Sequence, residues 1–262
     1  MSWLQRPIAG PFLCRMRQAE AFGAPDLASL ADLGGEVRTV EANTVILPEG
    51  ARGNAIHVLL DGWAARFKIL ENGSRQVPAL RLAGDICDLD ALYLERRDCG
   101  TASLTRCTVA AIPGEGLLAL IDRQPGVRAA IGRLAAVENG ISSQWTVCLG
   151  RRSARERLAH LLCELQARLQ AVGAAGDGGF ALPLTQEEIA DVLGLTSVHV
   201  NRTLQTLRSS GLIRLKDQRL QVPDLQALQR LAGFDARYLH LPCEDKLAGP
   251  RAAEPVRTYQ IA

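Results

Sequence analysis

The sequence predicts an α+β chain. A many-stranded β region of barrel or jelly-roll type leads into one long helix, then into a small helical domain ending in a β-hairpin. Three observations predict this. Between about residues 27 and 113, short apolar runs alternate with glycines, as in "TVILPEG", "NAIHVLLDGWAARFKIL", "RQVPALRLAGDI" and "TASLTRCTVAAIP". Over residues 127–148 the apolar positions step alternately by four and three. Finally, "LTQEEIADVLGLTSVHVNRTLQTLRSSGLI" places two short helical patterns either side of Gly194.

Composition narrows the possible classes. The 262 residues are 47% hydrophobic and 22% charged, with a net charge of only +2, so the chain is no polycation. That is enough chain for one or two domains with a sizeable core. The N-terminal "MSWLQRPIAGPFLCRM" lacks the apolar core of a signal peptide, and no run approaches the ~18 apolar residues that span a bilayer. A cytoplasmic protein without membrane contact is expected. Seven cysteines, an odd number without short paired spacing, suit a reducing compartment.

In the β region, Val and Ile favour strands, and Gly50, Gly53, Gly62, Gly73 and Gly84 punctuate them as turns. Residues 114–149 then read as a linker and a long helix. Val127, Ile131, Leu134, Glu138, Ile141, Trp145 and Cys148 form an a/d heptad seam with Glu138 as its one polar position. The seam predicts a dimer interface through Val127, Ile131, Leu134, Glu138, Ile141 and Trp145. The alternative is an apolar face packed on its own domain. A carboxylate there sets register or contacts an effector.

Residues 150–223 form the next unit. In "RRSARERLAHLLCELQARLQ", Leu158, Leu161, Leu162, Leu165 and Leu169 make a helix face, followed by the loop "GAAGDGGF". Thr185 and Glu188 have capping-box spacing and start a helix with Ile189, Val192 and Leu193 as its apolar positions. Gly194 suits the turn and Thr196 is the N-cap of a second helix. Val200, Leu204 and Leu207 of that helix face inward, leaving Ser197, His199, Asn201, Arg202 and Gln205 outside. These are the groups that read base edges in a major groove: Arg pairs bidentately with guanine and Asn with adenine. Thr185, Gln186 and Thr196, at the two helix starts, complete the expected DNA-contacting set. "GLIRLKDQRLQVP" reads as a basic wing, with Lys216 toward phosphate. Within residues 224–262, "DLQALQRLAG" predicts a short helix, and the tail from Glu244 has little to bury and is expected to be mobile.

Over roughly residues 27–223 the chain resembles the CRP/FNR superfamily of bacterial transcription regulators. "TQEEIADVLGLTSVHVNRTLQTLRSSGLI" is similar to that family's winged helix-turn-helix, and "EGARGNAIHVLLDGWAARF" to its cyclic-nucleotide-binding-like β-roll. "LGRRSARERLAHLLCEL" resembles its hinge and the first helix of its DNA-binding domain. The resemblance implies a β-roll sensor over residues 27–113, a long dimerisation helix, and a winged helix-turn-helix over 150–223. It also implies a homodimer on a pseudo-palindromic promoter site in double-stranded DNA, with RNA polymerase as a further partner. Arg202 matches the family's base- or phosphate-contacting arginine, while Val198 lies where the family often carries Glu.

Departures bear on the effector. Members that bind cyclic AMP carry a Gly-Glu pair after the "GD", and none follows Asp85. Arg97 falls near the phosphate position, but Asp98 beside it would repel a phosphate. Cyclic AMP is not expected. Only Cys14 precedes the β region, so an iron–sulphur cluster is not expected either. His57 leaves haem open, although a lone histidine is more often structural. Cys87, Cys99, Cys107 and Cys163 read as small core residues rather than redox sensors. No cofactor is predicted, and the sequence does not identify the signal. An enzyme is not expected: the roll has one histidine, and neither Gly-x-Ser-x-Gly nor a phosphate loop occurs. The competing reading is a ligand-binding regulatory subunit whose winged helix contacts protein.

Overall fold

The computed structural model describes residues 4–6, 10–19, 24–176 and 179–241. The expected mobile tail lies outside these residues. The chain starts with β1 (Leu4–Arg6), α1 (Pro11–Ala19) and α2 (Ala24–Asp32). Residues 27–32, expected to open the β region, belong instead to α2. Leu27, Leu30 and Leu33 recur every three residues, a helical stripe, and Leu30 is fully buried.

The β-domain follows as β2 (Gly35–Val40), β3 (Val45–Leu47), β4 (Ala55–Asp61), β5 (Ala64–Ile69), β6 (Arg75–Arg81), β7 (Gly100–Ser103) and β8 (Cys107–Pro113). They form two antiparallel four-stranded sheets, ordered β1-β2-β8-β4 and β3-β7-β5-β6. Strand alternation sends neighbouring residues to opposite faces. Leu59 and Val109 turn inward, between the sheets, with Val40, Ile46 and Leu47. Ile56, Val58 and Ile112 turn outward, onto Phe12 and Met16 of α1 and onto the helices that follow.

Those helices are α3 (Gly114–Arg123) and α4 (Pro125–Arg151). At 27 residues, α4 is about 40 Å long. Its heptad stripe is real, but the chain itself covers it. Val127 and Ile131 are buried against α1, α3 and the first sheet. Ile141, Trp145 and Cys148 are buried in the core of the next domain. Leu134 is partly buried on the first of these cores, and Glu138 is ion-paired at 2.7 Å with Arg81 of β6. This corrects the expected dimer seam: a helix this long runs over two domains of its own chain, and they consume its apolar face. The opposite face holds a second stripe in the same four-three rhythm: Ala129, Gly132, Ala136, Asn139, Ser143, Thr146 and Gly150, all exposed. Being small rather than apolar, it left no hydrophobic signal.

The C-terminal unit contains α5 (Ala154–Ala171), β9 (Phe180–Ala181), α6 (Gln186–Leu193), α7 (Ser197–Ser209), β10 (Arg214–Lys216), β11 (Arg219–Gln221) and α8 (Leu225–Ala232). It ends in a 3-10 turn, Ala236–Leu239. Capping boxes start both α5 (Ser153 with Glu156) and α6 (Thr185 with Glu188). Gly194 ends α6 in the left-handed region, φ 61°, where a side chain would be strained. The wing pairs Lys216 with Arg219 across a two-residue turn. Asp217 and Gln218 both have positive φ there, 50° and 56°, matching the twist of the hairpin.

One core joins the two domains. Phe67, Val77 and Leu80 of the second sheet and Leu104, just after β7, share it with Leu158, Leu162 and Leu165 of α5 and with Ile189 and Val192 of α6. At the joint, Trp145 Nε1 (3.0 Å) and the Tyr238 hydroxyl (2.7 Å) both donate to Glu164 Oε2. Among the described residues, no helix is long and apolar enough to cross a membrane. Ile141→Ala, which opens a cavity in this joint, should lower the unfolding free energy by about 2–5 kcal/mol in a urea titration. A change under about 0.5 kcal/mol would mean that the site is not packed as described.

Candidate nucleic-acid interface

Two locally coded helix starts build an exposed polar surface on the C-terminal unit. The Thr185 hydroxyl accepts from Glu188 N (3.2 Å) and lies 2.9 Å from Glu188 Oε2, which also accepts from Thr185 N (2.7 Å). That hydroxyl is therefore spent on starting α6. Thr196 Oγ1 accepts from His199 N at 3.3 Å, which leaves its own proton to donate. The N-terminus of α7 thus points its partial positive charge outward, as an anion-binding end.

Behind this surface, Val200 and Leu207 are fully buried and Leu204 nearly so. In front, Gln186, Ser197, Val198, Asn201, Arg202 and Gln205 line one shallow depression of about 330 Å³. Asn201 Nδ2 donates to Gln186 Oε1 at 3.0 Å, so the first helix orients a side chain on the second. His199 is exposed but lies off this stripe, about 100° round the helix from Val198. Lys216 is exposed on the wing, also apart from the depression. Of the residues expected from the sequence to contact DNA, the structure brings Gln186, Ser197, Asn201, Arg202 and Gln205 together on one surface. Val198, noted in the sequence only as standing where the family often carries Glu, lines the same depression.

A second concavity lies between the β-domain and α4. Its volume is about 440 Å³, and Ile86, Leu89, Ile131 and Leu134 give it an apolar lining. Arg15, Arg66, Arg81, Asp85, Asp90 and Glu138 bring charge to the same walls. Most of that charge is paired internally: Arg66 with Asp90 at 3.0 Å, Arg81 with Glu138 at 2.7 Å and Arg15 with Asp85 at 3.5 Å. Asp85 also takes Arg168 of α5 at 2.6 Å. Burial works to raise the Asp85 carboxyl, but the guanidiniums of Arg168, Arg15 and Arg81 outweigh it and hold the group below the usual range. Two buried atoms on these walls, Arg81 Nε and Asp90 Oδ1, have no hydrogen-bond partner.

Inside the roll, each of the three guanidinium nitrogens of Arg97 donates a hydrogen bond. Its Nε donates to Asp88 Oδ2 at 2.8 Å, Nη1 to Arg52 O and Nη2 to Ala55 O, each at 3.2 Å. Asp88 also accepts from His57 N at 2.6 Å and contacts His57 Nδ1 at 3.0 Å. Burial pushes the thiols of Cys87 and Cys163 upward, that of Cys163 to about 12, which keeps them protonated. Among the described residues, no group of three or more His, Cys, Asp or Glu is arranged to hold a metal ion.

Residues 37–124 match the model for a cyclic nucleotide-binding domain, and residues 156–231 that for a Crp-like helix-turn-helix domain. The chain is 28% identical over 221 residues to a probable transcriptional activator from Rhizobium leguminosarum, covering 83% of this chain and 91% of that one. It is 29% identical over 204 residues to the transcriptional activator protein FnrL of Cereibacter sphaeroides, covering 76% and 81%. Among solved structures, FixK2 from Bradyrhizobium japonicum superposes with a TM-score of 0.68 at 24% identity, covering 75% of this chain and 96% of that one. Both sequence relatives are named as transcriptional activators.

The Asp85 pairing predicts a pH signature. A depressed carboxyl contributes stability above its unfolded pKa of ~3.9, and the contribution is lost as pH falls through the folded value. Asp85→Asn, which leaves Arg15 unopposed and Arg168 with Glu164 as its one remaining carboxylate, should cost about 3–5 kcal/mol at neutral pH. The cost should shrink below about pH 4. Urea titrations at several pH values measure it, and a pH-independent difference would contradict the pairing.

Proposed function

The chain belongs to the CRP/FNR superfamily of transcription regulators, and from that premise we propose that it acts as a homodimer reading a pseudo-palindromic promoter site under control of its β-roll. The observation that carries this reading is the single polar stripe of Gln186 on α6 and Ser197, Asn201, Arg202 and Gln205 on α7. Arg202 supplies a bidentate donor for guanine, Asn201 and Gln205 supply amides for adenine, and Ser197 and Thr196 supply hydroxyls. Lys216 and Arg214, both exposed on the wing, provide charge for phosphate.

The exposed small-residue stripe on α4 supports the dimer. Side chains of this size let two helix axes approach to about 8 Å, and the four-three rhythm keeps the contact along the helix. Two copies of α7 would then lie about 34 Å apart, one turn of DNA. The cavity between the roll and α4 supports control by a small ligand, with RNA polymerase as the further partner. Arg81 and Asp90, two of the residues that line it, each keep a buried polar atom without a hydrogen-bond partner, Nε and Oδ1. A cyclic nucleotide is not the proposed ligand, because Arg97 spends its guanidinium on Asp88 and two carbonyls. Neither an iron–sulphur cluster nor haem forms part of this reading.

Binding to duplexes in a mobility-shift titration tests the proposal. Arg202→Ala should cost about 1–3 kcal/mol on a specific site and little on random duplex. Lys216→Ala should weaken both alike and reduce the salt slope by about one. A folded Arg202→Ala protein with unchanged specific affinity would overturn the assignment. Ala136→Glu, which sets like charges in the proposed helix contact, should shift the sedimentation coefficient from dimer to monomer; an unchanged dimer would place the interface elsewhere.

A further inference from the structure

Val198 is 69% exposed, the most exposed of the large apolar side chains among the described residues. It sits in the first turn of α7 and shares its depression with Ser197, Asn201, Arg202 and Gln205, all of which can hydrogen-bond. Isolated surface valines are common and by themselves mean nothing. This one is set apart by its place. It lies one helical turn before Arg202 and three residues before Asn201, so the three side chains stand on one stripe.

We propose that Val198 reads the 5-methyl group of a thymine, making that base a fixed position of each half-site beside the pairs read by Arg202 and Asn201. The inference rests on the DNA-reading assignment of α7. Thymine alone among the four bases presents a methyl group in the major groove, and an apolar side chain is its natural counterpart. A β-branched residue in a helix has one strongly preferred χ1, so its two methyl groups are held in place before contact and lose little entropy on binding. It neither donates nor accepts a hydrogen bond. Against cytosine N4 or adenine N6 it would leave a polar edge desolvated and unpaired, which penalises the wrong base. The depression also positions its neighbour: Gln186 holds one Asn201 N–H, leaving the second N–H and Oδ1 for a base edge. The hydrogen-bonding readout therefore falls to Arg202 and Asn201, and Val198 adds a methyl contact.

The test uses the full chain and chemically defined DNA. Selection from a random duplex pool gives the preferred site. Each thymine of that site is then replaced symmetrically by deoxyuridine, which removes only the methyl group and leaves base pairing unchanged. At one thymine per half-site the substitution should weaken wild-type binding about fourfold, or roughly fifteenfold when both half-sites are changed. Val198→Ala should lose most of the difference between the two duplexes, while its thermal unfolding, as expected for an exposed position, stays unchanged. Wild-type binding indifferent to uracil at every thymine would overturn the proposal, as would full methyl sensitivity retained in Val198→Ala. A pool that yields no enriched sequence is a different result. It removes the DNA-reading assignment itself, and this inference with it.

Discussion

A single buried carboxylate joins three parts of the chain. Asp85, 6% exposed, receives Arg168 from the first helix of the C-terminal domain and Arg15 from the N-terminal helix, and accepts the backbone N–H of Leu82 at 2.8 Å. Arg168 also reaches Leu80 O at 3.2 Å and Glu164 at 3.3 Å. Charges taken out of water at this cost persist only when each is matched. The geometry of α5 against the roll is therefore tightly restricted, because a small shift would strand a guanidinium. Since α6 and α7 pack on α5, the direction in which α7 points is referred back to a residue of the roll 83 positions earlier than Arg168.

Around that ionic centre the two domains share apolar core and further polar ties. Gln76 Nε2 donates to Val192 O at 3.3 Å, and Arg75 lies 3.7 Å from Asp191, so β6 grips the first helix of the helix-turn-helix directly. Arg81, at the end of the same strand, holds Glu138 of α4. One strand thus touches the long helix at one end and the DNA-facing domain at the other. A ligand that displaced Glu138 from Arg81 would act on the strand that also positions α6. In the proposed reading, such a ligand would reach α7 through packed elements rather than through a flexible linker.

What was legible in the sequence was local. The Thr185–Glu188 box, the Gly194 turn and the inward Val200 and Leu207 depend on neighbours a few residues away, and each stands where its spacing indicated. What failed was the assignment of partners. Periodicity along α4 says that Ile131, Ile141 and Trp145 are buried, but not against what, and here the partner is the chain's own domains. The stripe of Gly132, Ala136, Asn139 and Ser143 was invisible because its side chains are small and partly polar. Arg168 gave no signal either: on the helix pattern it is one more charge beside Leu165 and Leu169, and only the folded chain brings it to Asp85.

The way α4 is covered also bears on how the molecule is made. Both of its apolar stretches are roofed by elements of the same chain, so a newly synthesised polypeptide can complete its cores alone. In the proposed dimer, pairing through the remaining narrow face would then be a second-order event that follows folding instead of accompanying it. A regulator assembled in this order has an active fraction that tracks its own copy number. Transcription of its gene would in that case set not only how many molecules exist, but what share of them is competent to occupy a two-fold operator.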